Sequence, residues 1–232
     1  ALTVLDDKLA QSVDQPLERP ALLIMSGDQI YADDVAGPML TAIHQTIAQY
    51  GLFDETWQGT EVNNTHELLT SDLCYYQRES LLPKDKASQA LLDLVFRGVQ
   101  KPIFTSAGAQ NHLITLSELI AMYLLVWSDT PWQHIDWQEA EQRISDEDMA
   151  TFLQEKQHIQ SFAKGLTKVR RALAHLPVYM IFDDHDVTDD WNLTRGWEDA
   201  AYNNAYSKRI LGNALMSYWL CQGWGNQPSH YQ

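Results

Sequence analysis

The sequence predicts an α/β domain in which two short parallel core strands, about residues 21–26 and 178–182, bracket a large and mostly helical stretch. Three observations carry this. Leu22-Leu23-Ile24-Met25 and Val178-Tyr179-Met180-Ile181-Phe182 are short apolar, partly β-branched runs cut off by turn chemistry. Apolar residues recur at helical spacing over about residues 37–175 between them. Neither run alternates polar with apolar residues, so both strands read as buried on both faces. Two strands do not make a stable sheet alone, so the chain reads as one incomplete domain, 1–232, whose other strands lie outside it.

Taken in order, residues 1–19 read as a short helix and a polar connection through Pro16 to Pro20, before the first strand. Gly37-Pro38 restarts the chain, and Met39, Leu40, Ile43, Ile47 and Tyr50 mark a helix stopped at Gly51. Residues 52–65 read as a loop, about His66–Ser80 as a helix ended by Pro83, and 85–97 as a further amphipathic helix. Residues 99–112 read as extended or looped. Leu116–Trp127 is apolar almost all round and implies a buried helix, opened by the Thr115 hydroxyl with Glu118 in its first turn. Ser145-Asp146-Glu147-Asp148 opens a long helix running to about His175, which Pro177 ends. After the second strand, Asp189–Glu198 reads as irregular, about Asp199–Cys221 as a final helix, and Gly223-Trp224-Gly225-Asn226-Gln227-Pro228 as coil.

Composition narrows the partners. The formal net charge of −15 argues against a general nucleic-acid-binding surface, which would be basic. It leaves room for an anionic substrate, because bound cations can dominate the field inside an acidic shell. No apolar stretch is long enough to span a membrane, and Ala1-Leu2-Thr3-Val4-Leu5-Asp6-Asp7 lacks the basic start of a leader peptide. Cys74 and Cys221 have no zinc-site spacing and read as buried thiols. Isolated histidines such as His44, His66 and His134 read as surface or hydrogen-bonded residues.

The chemistry sits at the two strand ends, where open α/β sheets collect ligands. The first carries Gly27-Asp28-Gln29-Ile30-Tyr31-Ala32-Asp33, the second Asp183-Asp184-His185-Asp186. Asp28, Tyr31 and Asp184 are the oxygen donors a hard cation takes, and a phenolate from Tyr31 suits trivalent iron. A carboxylate such as Asp28 bridges two cations when its oxygens diverge. His185 at the rim is placed to act as general acid toward a leaving oxygen. Asp33, Asp183 and Asp186 thicken the acid cluster in supporting roles. Two metals roughly 3.5–4 Å apart activate a bridging water and hold both oxygens of an in-line phosphoryl displacement. Gly-Asp after a strand is also ordinary turn chemistry, so two other readings stay open. In one, the acids form a structural cation site in a non-catalytic binding or regulatory module. In the other, the loops lie far apart and only resemble a site.

These loops together resemble the PhoD-like branch of the calcineurin-like metallophosphoesterases. The resemblance is carried by Gly27-Asp28-Gln29-Ile30-Tyr31-Ala32-Asp33 and by Phe182 through Trp191, and more weakly by Asn111-His112-Leu113-Ile114-Thr115-Leu116-Ser117-Glu118 and Gly223-Trp224-Gly225-Asn226. It implies a four-layer αββα sandwich with a dinuclear centre at the strand ends, iron with calcium or another divalent ion, and a phosphate-ester substrate. It further implies Asp28 as the bridging carboxylate, Tyr31 as the phenolate on iron, Asp184 as a metal ligand and His185 as the catalytic histidine. Phe182 and Asp186 stand where that family usually has Trp and Glu. A first strand with its own metal motif, and the His-bearing strands of the second half, are implied outside residues 1–232. The isolated chain is then the middle of the family domain, lacking several ligands.

Overall fold

The computed structural model describes residues 2–83, 103–104 and 108–231. The helix expected over 85–97 lies outside the described residues. The described chain is a mixed α/β structure, mostly helical, with a small sheet of two parallel strands. Strand β1 (Leu23–Ser26) pairs with β2 (Val178–Ile181) in a register running from Leu23 opposite Val178 to Ser26 opposite Ile181. Parallel pairing requires a long crossover, which the helical chain between them supplies. Its consequence is positional: both strands end on the same edge, so both acidic turns start side by side.

The strands are not buried on both faces, contrary to the expectation from their unbroken apolar runs. Leu23 packs against Leu9, Ala172 and Leu176, contributed by the helices Leu2–Gln11 and Leu166–Ala174 and the turn after the latter. Ile24, Tyr179 and Ile181 face outward and are 67%, 49% and 55% exposed. The described helices cover only one side, and the pleat sends alternate residues to the other. The second edge of β2 is partly closed by a side chain: the Asn226 amide accepts from Met180 N at 2.8 Å and donates to Met180 O at 2.6 Å, as a neighbouring strand would.

The core is organised around the helix Leu116–Trp127, which packs against the helices Gly37–Tyr50 and Ala205–Tyr218. Thr115 accepts from Glu118 N and Glu118 reaches back to the Thr115 N–H, a capping box that satisfies amides at the helix start. Leu119, Ala121, Met122, Tyr123 and Leu125 are buried, each large side chain contributing roughly 1.5–3 kcal/mol relative to exposure. The other oxygen of Glu118 meets Arg78 Nη2 at 2.8 Å and His44 Nε2 at 3.0 Å, with Glu118 and Arg78 fully buried and His44 nearly so. His44 is thus a hydrogen-bonded core residue. Both cysteines are free thiols, Cys74 buried and Cys221 partly so.

Several expected helices are divided, each for a local reason. The stretch expected as one helix over 66–80 is α-helical only at Thr65–Thr70 and continues as two single 3-10 turns, Asp72–Cys74 and Arg78–Ser80. Ser71 caps a separate tight turn through its hydroxyl, and Tyr76 at φ 57° breaks the run again. The long helix expected to reach His175 is split at Gly165 into Met149–Lys164 and Leu166–Ala174. There a Cβ would lie 3.2 Å from Thr3 Cγ2 of the first helix. The final helix becomes Arg195–Asn203 and Ala205–Tyr218 because the Asn204 side chain accepts from Tyr206 N and Ser207 N, capping a new start. The region after Gly223, expected as coil, holds further short helical turns at Trp224–Asn226 and Pro228–Tyr231. Among the described residues no helix is long and apolar enough to cross a membrane.

Candidate metal centre

The first acidic loop leaves β1 through a left-handed turn, with Gly27 at φ 109° and Asp28 at φ 51°. Gly27 is required on two counts. Its φ is one that side chains resist, and a Cβ there would stand 2.6 Å from Asp183 Cβ on the facing loop. The loops therefore touch backbone to side chain at this point. Gly27→Ala is expected to lower stability by about 1–3 kcal/mol through backbone strain and to spread the loops. Chemical denaturation measures the first effect and loss of divalent-cation affinity the second.

The second loop is a tight helical turn, Asp184–Asp186, capped by Asp183, whose carboxylate accepts from Asp184 N at 3.0 Å. Asp186 ties the loops together. Its carboxylate is 1% exposed and accepts from Gln29 N at 3.3 Å and Ile30 N at 3.2 Å on the first loop. It also accepts from Asp183 N at 3.1 Å on its own loop and from Tyr123 Oη at 3.1 Å and Gln222 Nε2 at 3.2 Å from behind. Burial pushes this acid above its ordinary value, and the donated hydrogen bonds pull it back only in part. The backbone adds Ala32 N to His185 O at 2.8 Å.

Asp28, Asp183 and Asp184 each present an oxygen within 4.8 Å of the others, and Asp184, Asp189 and Asp190 form a second such group. Asp184 thus belongs to both. These acidic clusters can hold a metal ion: all donors are oxygens, which suits a hard cation. Tyr31 Oη lies 3.0 Å from Asp28 Oδ2. Neighbouring oxygens of an octahedral shell with ~2.1 Å bonds are separated by about 3 Å, so this pair is spaced as adjacent ligands are. The bond to Asp28 and the negative charge around it hold the Tyr31 phenol above its ordinary value. The phenol is therefore held in its neutral form.

His185 stands beside Tyr31. Its ring lies 4.7 Å from that of Tyr31, centre to centre, at 32°. Nδ1 meets Asp33 Oδ2 at 2.9 Å, and Asp33 is fully buried. Nε2 remains at the rim, 3.9 Å from Asp189 Oδ1. Partial burial disfavours the imidazolium, but Asp33, followed by Asp184 and Asp28, outweighs it and raises His185 above its ordinary value.

The sequence-expected residues therefore converge, in two ranks. Asp28, Tyr31, Asp184 and His185 lie together at the two strand ends, and Asp183 joins the carboxylate cluster itself. Asp33 and Asp186 lie buried behind it, one holding His185 and the other holding both loops. The loops are adjacent, which removes the reading that placed them far apart. Sequence reasoning missed Tyr123 and Gln222. Tyr123 carried one signal, a phenol in the apolar stretch Leu119–Trp127 of its helix, which needs a polar partner when buried. Asn111 and His112 prove structural: Asn111 bridges Tyr76 N and Val35 O, and His112 Nε2 meets Thr188 Oγ1 at 3.1 Å. No family model matches the chain, and no match emerges among curated proteins or solved structures.

Proposed function

We propose that this chain is the central part of a PhoD-like metallophosphoesterase, and that its two acid-tipped loops help form a dinuclear centre for hydrolysing phosphate esters. The observation that carries the reading is the clustering of Asp28 and Asp184 carboxylates within 4.8 Å, with the Tyr31 hydroxyl 3.0 Å from Asp28 and the His185 ring 4.7 Å from that of Tyr31. The uncovered outer face at Ile24, Tyr179 and Ile181 supports a further layer packed on that side of the sheet, as a four-layer αββα sandwich requires. Asp28, Tyr31 and Asp184 would hold iron with calcium or another divalent ion. When bound, such cations polarise a phosphoryl oxygen and make water a nucleophile near neutral pH.

The remaining roles belong to the chain's own groups. Asp33 accepts the Nδ1 proton of His185, which fixes the ring and leaves Nε2–H on the side away from Asp33, toward Asp189. The raised imidazolium gives that proton to the leaving ester oxygen as its bond to phosphorus breaks. Asp186, holding both loops from behind, keeps the carboxylates spaced. The substrate is an anionic phosphate ester, and the chain's negative charge gives no reason for a broad nucleic-acid surface.

The test combines metal analysis with hydrolysis of an aryl phosphodiester by the full-length protein. Asp28→Asn is expected to lower metal content and turnover together. His185→Ala is expected to lower turnover by about 10²–10⁴-fold with metal content unchanged. Wild-type rates in both variants would end the proposal. One observation favours a second reading, a non-catalytic cation-holding module: both carboxylate groups are all-aspartate, with no nitrogen ligand among the described residues. Stoichiometric cation binding without turnover is its signature.

A further inference from the structure

We infer that Gln222 and Tyr123 are positioning residues for this centre, holding the Asp186 carboxylate so that it sets the spacing of the Asp28 and Asp184 loops; the inference rests on the cation-holding reading above. Gln222 is 2% exposed. Its Nε2 donates to Tyr123 Oη at 2.8 Å and to Asp186 Oδ1 at 3.2 Å, and the Tyr123 hydroxyl donates to the same carboxylate oxygen at 3.1 Å. Asp186 in turn receives Gln29 N and Ile30 N from one loop and Asp183 N from the other. A continuous run of hydrogen bonds therefore links Gln222, just past the helix Ala205–Tyr218, to both acid-tipped turns.

The backbone that delivers Gln222 is unusual. The Trp224 N–H bonds to the Trp219 carbonyl, so residues Trp219–Gly223 form a wide π-helical turn directly after the helix Ala205–Tyr218. Such turns add a residue to the helical repeat, re-aim the side chains they carry, and are frequent at functional sites. The side chain has also been placed against its own hydrogen-bonding interest. Gln222 Oε1 is buried with no hydrogen-bond partner among the described residues. An unpaired interior amide oxygen is unfavourable, and the gain on the other side is what Nε2 does at Asp186. Neither Gln222 nor Tyr123 belongs to a carboxylate cluster, so both act through Asp186.

The experiment uses the full chain, Mn²⁺ alone as probe, and the variants Gln222→Met and Tyr123→Phe. Gln222→Met keeps the length of the side chain and removes the amide; Tyr123→Phe removes only the hydroxyl and covers the case in which the first variant does not fold. Mn²⁺ affinity is read by calorimetry, and amide hydrogen exchange at Gln29, Ile30 and Asp183 is read in cation-free protein. Exchange within Leu116–Trp127 serves as the control for general destabilisation. The expected result is faster exchange confined to the loop amides, with Mn²⁺ affinity reduced roughly 10–100-fold, the range typical of groups that orient metal ligands. Wild-type Mn²⁺ binding that both folded variants retain unchanged overturns this inference and leaves the proposed function standing. Wild-type protein that takes up no Mn²⁺ overturns the cation-holding reading and this inference together.

Discussion

Glu118→Ala is expected to cost about 3–5 kcal/mol, the loss typical when one partner of a buried ion pair is removed. Arg78 and Glu118 are both fully buried, and Arg78 would keep its charge without a counterion. Its remaining partners are the carbonyls of Cys74 at 2.8 Å and His112 at 3.2 Å, the His44 Nε2 at 3.1 Å and the Cys74 sulfur at 3.7 Å, none of them charged as a counterion is. Glu118 also accepts from Ile114 N and Thr115 N, so the same substitution uncaps the central helix. Urea denaturation at neutral pH measures the loss. Arg78→Met combined with Glu118→Leu is expected to recover much of it, because a well-packed apolar replacement avoids desolvating charge.

The same carboxylate gives a pH dependence of definite sign. Burial alone would raise Glu118, but the Arg78 charge and the His44 and Arg78 hydrogen bonds outweigh it and hold the acid well below its ordinary range. The folded state therefore binds the proton less readily than the unfolded chain. Its stabilising contribution is complete above the unfolded value of about 4.3 and is lost as pH falls below it. Stability measured from pH 6 down to pH 3 should fall more steeply in wild type than in Glu118→Gln. Parallel curves would show that this ion pair does not carry the acid sensitivity.

The convergence of the loops was legible in the sequence because one pattern occurs twice. An apolar run ending in an acidic turn at both 22–28 and 178–186 places each set of carboxylates at a strand's carboxyl end. Parallel pairing then brings the two ends together. The exposed sheet face was not legible for a related reason. Leu22-Leu23-Ile24-Met25 is apolar at every position, so no alternation distinguishes the covered Leu23 from the uncovered Ile24. The Leu116–Trp127 helix was readable from its cap and composition, whereas the helix breaks depend on competition at single residues. Ser71, Gly165 and Asn204 each offer a local alternative to continuing the helix, and apolar periodicity passes over them. The division of the acids into ligand-like and buried ranks was invisible as well. Asp184 and Asp186 differ by two positions in one turn, and only the fold sends one to the mouth and the other to the interior.

Asp186→Ala is expected to be as damaging as loss of the ion pair, by a different route. Removing the carboxylate leaves Ile30 N and Tyr123 Oη without their acceptor at positions 2% exposed, where water cannot replace it. Each buried unsatisfied donor costs about 1–3 kcal/mol, and these two together place the loss at roughly 2–6 kcal/mol. Gln29 N and Asp183 N are nearer the surface and add less. Asp186→Asn keeps one acceptor oxygen and the side-chain volume, and it removes a buried negative charge that receives neutral donors rather than a cation. It is expected to lose less than half as much. The ordering Ala well below Asn, measured by urea denaturation, distinguishes a hydrogen-bond hub from a charge held for its own sake. If Asp186→Asn were the worse variant, the negative charge itself, and not the set of donors it gathers, would be what joins the two loops.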